Sequence, residues 1–215
     1  MTMKAEAIVN RAAVLLHDST NVRWPVVQLL DYLNDGQREV TMLRPDASMV
    51  TGNITLVTGN TKQSIPTDGI RLFSVIRNTS GRPIIVIDRD ILDSQIPDWH
   101  TATGGSEVKH FVFDPKNPKI FYVYPKPATT ISVEASYSVA PDELDSVSDY
   151  LEISDIYANS LLDYVLYRAF SKDTEYADLS KADRHYETFV RALGFKTDVD
   201  MSIDPNADGP ANGRA

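Results

Sequence analysis

The spacing of apolar residues changes period twice along this chain, and nothing else in the sequence constrains the fold as tightly. Up to about residue 50, and again beyond residue 140, apolar side chains recur at the i, i+3, i+4 spacing of a helix buried on one face. Between Thr51 and Val139 they alternate, or fall in short runs cut by glycine and proline, as strands do. Helical ends around a β middle predict an α+β fold. The expected form is an antiparallel bundle of four main helices (1–50 and 140–195), an inserted antiparallel β domain (51–139) and a disordered or extended C-terminal tail (196–215).

The first helix is expected over Met3–His17, with Ala5, Ile8, Ala12, Leu15 and Leu16 on one stripe and His17 suiting the negative end of the macrodipole. Asp18–Arg23 reads as a short polar connector, and Pro25 fits the first position of a second helix. Asp-Gly within Asn34-Asp35-Gly36 is normally a turn signal. Val26, Leu29, Leu30, Leu33, Gln37 and Val40 nevertheless keep phase across Gly36. A helical glycine costs only about 1 kcal/mol relative to alanine, so the helix is expected to continue until Pro45. A glycine there would also let a neighbour approach closely.

A third helix is expected to start between Asp149 and Ser154, where Asp149-Tyr150-Leu151-Glu152 has capping-box spacing. Its inner face is Ile153, Ile156, Tyr157, Leu161, Val165 and Phe170. After the tight Lys172-Asp173 connection the fourth helix should run antiparallel to it. The fourth helix's face is Tyr176, Leu179, Ala182, Tyr186, Phe189, Val190 and Leu193, and it should end in a Schellman motif at Gly194 with Phe195 against Val190. Residues 196–215 have no periodicity and are expected not to bury enough surface to order themselves.

In the β region, short runs around Ile54, Leu56 and Ile65 precede strands at Ile70–Ile76 and Ile84–Ile87, a stretch with Ile91, Leu92 and Ile96 that suits one short helix, and a last strand over Thr129–Tyr137. The clearest hairpin joins His110–Phe113 to Ile120–Tyr124 through Asp114-Pro115-Lys116-Asn117-Pro118-Lys119, whose prolines cannot continue a ladder. A small sandwich or curled sheet follows.

Composition narrows the function. The net charge is −9, carried by residues 140–215, whereas 1–50 sum to −1 and 51–139 to +1. An acidic segment does not seek nucleic acid, because phosphate binding needs Lys and Arg; it suits a basic protein partner or a surface that DNA passes without adsorbing. The absence of cysteine excludes disulfides and thiolate metal sites and suits cytosolic assembly. No apolar run reaches the ~20 residues of a membrane span, and the start of the chain reads as no signal peptide.

No catalytic constellation emerges. The four histidines, His17, His100, His110 and His185, are scattered and read as surface or capping residues. Asp88-Arg89-Asp90 offers two acids on one strand face, weighed against solvated edge charges. Asp142, Glu143, Asp145, Asp149, Glu152 and Asp155 form an acidic run without the spacing of a calcium loop. Gly104-Gly105-Ser106 is not a nucleophile elbow, and no phosphate-cradling glycine loop exists. The aromatic hairpin (Phe111, Phe113, Phe121, Tyr122, Tyr124) is assigned to core packing and a protein interface rather than to base stacking. No enzymatic activity and no cofactor are expected.

Three blocks carry a family resemblance. They are Arg11-Ala12-Ala13-Val14-Leu15-Leu16-His17-Asp18 with Val22-Arg23-Trp24-Pro25, then Leu33-Asn34-Asp35-Gly36-Gln37-Arg38-Glu39-Val40 with Leu43-Arg44-Pro45-Asp46-Ala47, and the hairpin His110–Pro125. Over roughly residues 3–195, including Tyr164, Tyr167, Arg168 and Ala169, the chain resembles the head-to-tail adaptor proteins of short-tailed bacteriophages, relatives of tail tubular protein A. The resemblance implies a structural protein of the virion, assembled in the host cytoplasm. It implies a ring, dodecameric in the family, between the portal protein and the tail nozzle protein, with double-stranded DNA passing through without specific binding. The partner-binding residues expected on this reading are Phe195, Val199, Met201 and Ile203, clasping the portal, and Asp114, Lys116, Asn117 and Lys119 on the hairpin loop, facing the tail. The alternatives are another tail or neck protein, a carbohydrate-binding or carbohydrate-acting β-domain protein, and a single-stranded nucleic-acid binder, which the acidic balance disfavours.

Overall fold

A computed structural model describes residues 3–172 and 178–203, the stretch 195–203 by its backbone only. Among them are five α-helices: α1 (Ala5–Leu15), α2 (Val26–Leu43), α3 (Arg89–Gln95), α4 (Ala158–Ser171) and α5 (Leu179–Ile203). The strands are β1 (Met49–Thr55), β2 (Lys62–Ser64), β3 (Gly69–Asn78), β4 (Ile85–Val86), β5 (His110–Phe113), β6 (Ile120–Tyr124) and β7 (Ser132–Val139). The chain divides into two compact units, Met1–Arg44 with Pro141–Ala215, and Pro45–Ala140.

In the first unit α1 buries Ala5, Ile8, Val9, Ala12 and Ala13. Its opening N–H groups, which no helical carbonyl reaches, are taken up by the 147–151 loop. Ala5 N–H donates to the Asp149 carbonyl (2.9 Å) and Glu6 N–H to that of Val147 (2.8 Å), while Leu151 N–H donates back to Met3 (2.9 Å). Asp149 therefore starts no helix. Its carboxylate accepts from the N–H groups of Asp145 (3.1 Å) and Ser146 (2.8 Å) and closes a turn. α4 begins later, after a 3-10 turn over Asp155–Tyr157 capped by Ser154.

α2 is continuous through Gly36 and buries Leu29, Leu30, Leu33, Asn34, Gln37, Val40 and Thr41, while Val26 is exposed. A Cβ on Gly36 would lie 3.1 Å from the Tyr164 ring and 3.2 Å from Leu161, so the glycine sets how closely α4 approaches. α5 runs antiparallel to α4: Tyr164 meets Phe189, Tyr167 meets Tyr186 and Phe170 meets His185. Of its expected face, Ala182, Phe189 and Leu193 are buried, whereas Leu179, Tyr186 and Val190 are exposed. Asp173 and Tyr176 lie outside the described residues.

The second unit holds two sheets, ordered β1-β7-β3 and β2-β6-β5-β4. The hairpin of β5 and β6 alternates, and both of its faces are apolar. Phe111, Phe121 and Val123 turn toward Ile54, Leu72, Val75, Val133 and Ala135 of the three-stranded sheet and form one core with them. Val112 sits on the opposite face with Leu92 of α3 and Trp99, and Tyr122 and Tyr124 pack against this second cluster. A sheet apolar on both faces needs two covers, here a second sheet and α3.

These observations overturn the expectation of a four-helix bundle carrying a single inserted antiparallel β domain; of the expected disordered or extended tail, 196–203 continue α5 and 204–215 lie outside the described residues. Among the described residues there are five helices rather than four, and the sheets dominate the core. The strands form two sheets, and β4 pairs in parallel with β5. The helix expected to end at Gly194 continues to Ile203, because Gly194 is not among the residues with positive φ and keeps helical geometry, for which glycine carries only a modest penalty.

Candidate functional site

The surface most strongly built by local sequence lies where α1 gives way to α2. His17 adopts φ 54° and donates its N–H to Val14 (3.1 Å), and Asp18 N–H donates to Ala13 (2.9 Å). This is the Schellman arrangement expected at Gly194, found instead at the end of α1 with histidine in the left-handed position. The Asp18 carboxylate then accepts from the N–H groups of Val22 (3.0 Å), Arg23 (2.8 Å) and Trp24 (2.9 Å). The bond from Trp24 is the largest influence; with those from Val22 and Arg23, and against the effect of burial, it holds the carboxyl below its ordinary pKa. The turn so fixed buries Trp24, whose indole N–H donates to the Ala169 carbonyl (3.3 Å) in the last turn of α4.

A cavity of about 560 Å³ opens beside this turn. Its apolar part is formed by Leu15, Leu16, Trp24, Leu166 and Phe170, and its rim carries His17, Arg23, Asp178, Lys181 and His185. Lys181 pairs with Asp178 (3.1 Å) and lies 5.3 Å from the centre of the Phe170 ring. His185 stacks on Phe170 and bonds Asp163 (2.8 Å). A shallower cavity adjoins it, lined by Asn10, Arg11, Val14, Leu15 and Leu162, so that Leu15 is common to both. An apolar floor with a charged rim is the anatomy shared by protein–protein interfaces.

At the other end of α1 lies the acidic run. Asn34 holds it at Leu144, donating to its carbonyl (3.1 Å) and accepting from its N–H (2.9 Å). Gln37 accepts from Glu152 N–H (3.0 Å), and Glu143 pairs with Arg38 (3.2 Å). Asp142, Asp145, Glu152 and Asp155 remain exposed, with Tyr150 and Ile156 among them.

Of the partner-binding residues expected from sequence, Asp114, Lys116, Asn117 and Lys119 form a closed turn. The Asp114 carboxylate accepts from Lys116 N–H (2.9 Å) and the Asp114 carbonyl accepts from Asn117 N–H (2.9 Å). The loop is also tied down, because the carbonyls of Lys119 and Pro118 accept from Ile65 (3.1 Å) and Leu72 (2.9 Å). All four of these residues are exposed. Phe195, Val199, Met201 and Ile203 belong to the other compact unit, on the final turns of α5, and their side chains lie outside the described residues. Asp88 and Asp90 are not paired acids on a strand: Asp88 caps α3 by accepting from Asp90 N–H (3.0 Å).

Sequence reading missed the buried side chains that organise loops, namely Asp18, Asn34, Asn78 and Gln63. A polar residue inside an apolar stripe, such as Asn34 beside Leu33, is the signal that marks one of them. Among the described residues no group of His, Cys, Asp and Glu is arranged to hold a metal ion, and no helix is long and apolar enough to cross a membrane.

Comparison with known families finds the SU10 adaptor protein family matching residues 3–211, nearly the whole chain. No curated protein matches. A phage adaptor family is a structural kind of protein, and a match of that extent implies a place in the virion and interaction with other head and tail proteins. The chain belongs to the SU10 adaptor protein family of phage structural adaptors.

Proposed function

We propose that this chain is a head-to-tail adaptor subunit that closes into a ring, dodecameric as in the short-tailed phages it resembles, between portal protein and tail nozzle. The family match over residues 3–211 carries the reading. The charge distribution supports it, since the excess of −9 lies within residues 140–215 and a lumen lined by acids lets double-stranded DNA pass without adsorbing. In this reading residues 1–50 with 140–195 and residues 51–139 act as two bodies with different partners. The end of the chain, from Phe195 through Val199, Met201 and Ile203, meets the portal. The hairpin loop with Asp114, Lys116, Asn117 and Lys119 meets the tail.

Phage particles made without this chain test the proposal. Filled heads lacking tails are expected, with the chain found at the neck of complete virions by labelled-antibody electron microscopy. Normally tailed particles in its absence would sink the proposal.

A further inference from the structure

The two ends of α1 present unlike surfaces, and their charges are complementary. Its eleven residues span about 16 Å. The C-terminal end carries the paired cavities that share Leu15, which is 51% exposed. Among the described lining residues Arg11 and Lys181 stand beside one acid, Asp178, which bonds Lys181 (3.1 Å). The acids behind them are engaged, Asp18 by three backbone N–H groups and Asp163 by His185. Arg11 bonds the neutral amide oxygen of Asn159 (3.0 Å), and among the described residues no carboxylate pairs with it.

The N-terminal end carries the 142–152 segment, with exposed Asp142, Asp145 and Glu152 and with Tyr150 54% exposed in their midst. Glu143 is paired with Arg38, and Lys4 lies 5.7 Å above the Tyr150 ring. In a chain of net charge −9 an apolar groove whose described rim carries more cations than acids is a local exception, and an acidic apolar segment of the same chain matches it.

We infer that the groove around Leu15 seats the acidic segment 142–152 of a second copy, with Tyr150 entering the apolar floor and the carboxylates meeting Arg11 and Lys181. This rests on the ring proposed above and supplies one of its contacts. Two unlike faces on one subunit give head-to-tail association, the kind that closes into rings.

The chain has no cysteine, so engineered ones report without background. Leu15→Cys and Tyr150→Cys are separate full-length chains, each altered at an exposed position. An equimolar mixture is treated at high concentration with a short bismaleimide, and products are resolved by mass. The expected result is a heterotypic dimer in several-fold excess over either homotypic dimer. It should also exceed the product of Leu15→Cys with a Val57→Cys control, and adding Lys181→Glu to the Leu15→Cys chain should lower the yield. A heterotypic yield no greater than the control, or homotypic Leu15→Cys dimers in excess, overturns the inference. A chain found at the virion neck that gives no heterotypic excess loses this contact alone. A chain absent from virions loses the adaptor role, whatever the cross-linking shows.

Discussion

Asn34 grips the backbone of Leu144 twice, its amide nitrogen donating to the carbonyl at 3.1 Å and its amide oxygen accepting from the N–H at 2.9 Å. A side-chain amide thus does what a neighbouring strand would do, and it joins α2 to a loop 110 residues later. The same device recurs where Asn78 donates to Val108 (2.7 Å) and accepts from it (2.9 Å), and where Gln63 does so with Val57 (3.1 and 2.7 Å). Buried backbone groups left without partners cost far more than the bonds themselves contribute. Asn34→Ala should therefore destabilise the protein by about 2 kcal/mol or more, seen as a lower urea midpoint by circular dichroism. A midpoint unchanged from the wild type would show that water replaces the amide at no cost.

Gly36 supplies a second test. Leucine there would need space already held by the Tyr164 ring and Leu161. Gly36→Leu should cost about 1–3 kcal/mol through overpacking, despite leucine's better helix propensity. Thermal unfolding of the two proteins measures it, and a variant as stable as wild type would mean that α4 moves aside freely.

Asp18 gives the protein a pH signature. Bonds from Trp24, and then from Val22 and Arg23, keep its carboxyl below the usual value, and Asp93 is lowered likewise, first by the bond from the Trp99 indole. A carboxyl whose folded pKa is depressed contributes stability above its unfolded pKa, about 4, and loses it as pH falls through the folded value. Asp18→Ala should thus be less stable than wild type at pH 7, with the difference shrinking below about pH 4. Denaturation midpoints across that range test it; a difference independent of pH would contradict the linkage.

Two surface changes separate folding from assembly. Removal of residues 196–215 should lower helical circular dichroism only by the share of 196–203 and leave the melting temperature nearly unchanged, while weakening binding to purified portal. Lys116→Glu with Lys119→Glu, both at exposed positions, should likewise spare the fold and weaken binding to tail components. Affinity measured for each variant against both partners checks the assignment. Equal losses on both sides would argue against two separate docking surfaces.

Periodicity revealed α2 well, because Leu29, Leu33, Gln37 and Val40 repeat strongly enough to override the Asp-Gly turn signal. The β5–β6 hairpin was legible for the same reason. The start of α4 was not. Asp149 has capping-box spacing, but its carboxylate is taken by the N–H groups of Asp145 and Ser146, a choice set by tertiary packing against α1. The end of α5 was misread because glycine permits a left-handed cap without requiring one. The order of the strands within the two sheets escaped because alternation shows that a strand has two faces but not which strands lie beside it or cover it. At the candidate surface, Leu15 and Trp24 stood out only as members of an apolar stripe and a family motif. The turn that presents them depends on Asp18, which local composition marks merely as polar.

Trp24 and Trp99 are the two tryptophans of the chain; both are buried, and each belongs to a different compact unit. Nature has thereby labelled the two halves with separate intrinsic fluorophores. Trp24→Phe leaves emission that reports on the sheets alone, and Trp99→Phe leaves emission that reports on the helices alone. Whether the halves melt together or in sequence, and which of them a docking partner perturbs, can be followed in the unlabelled molecule by light.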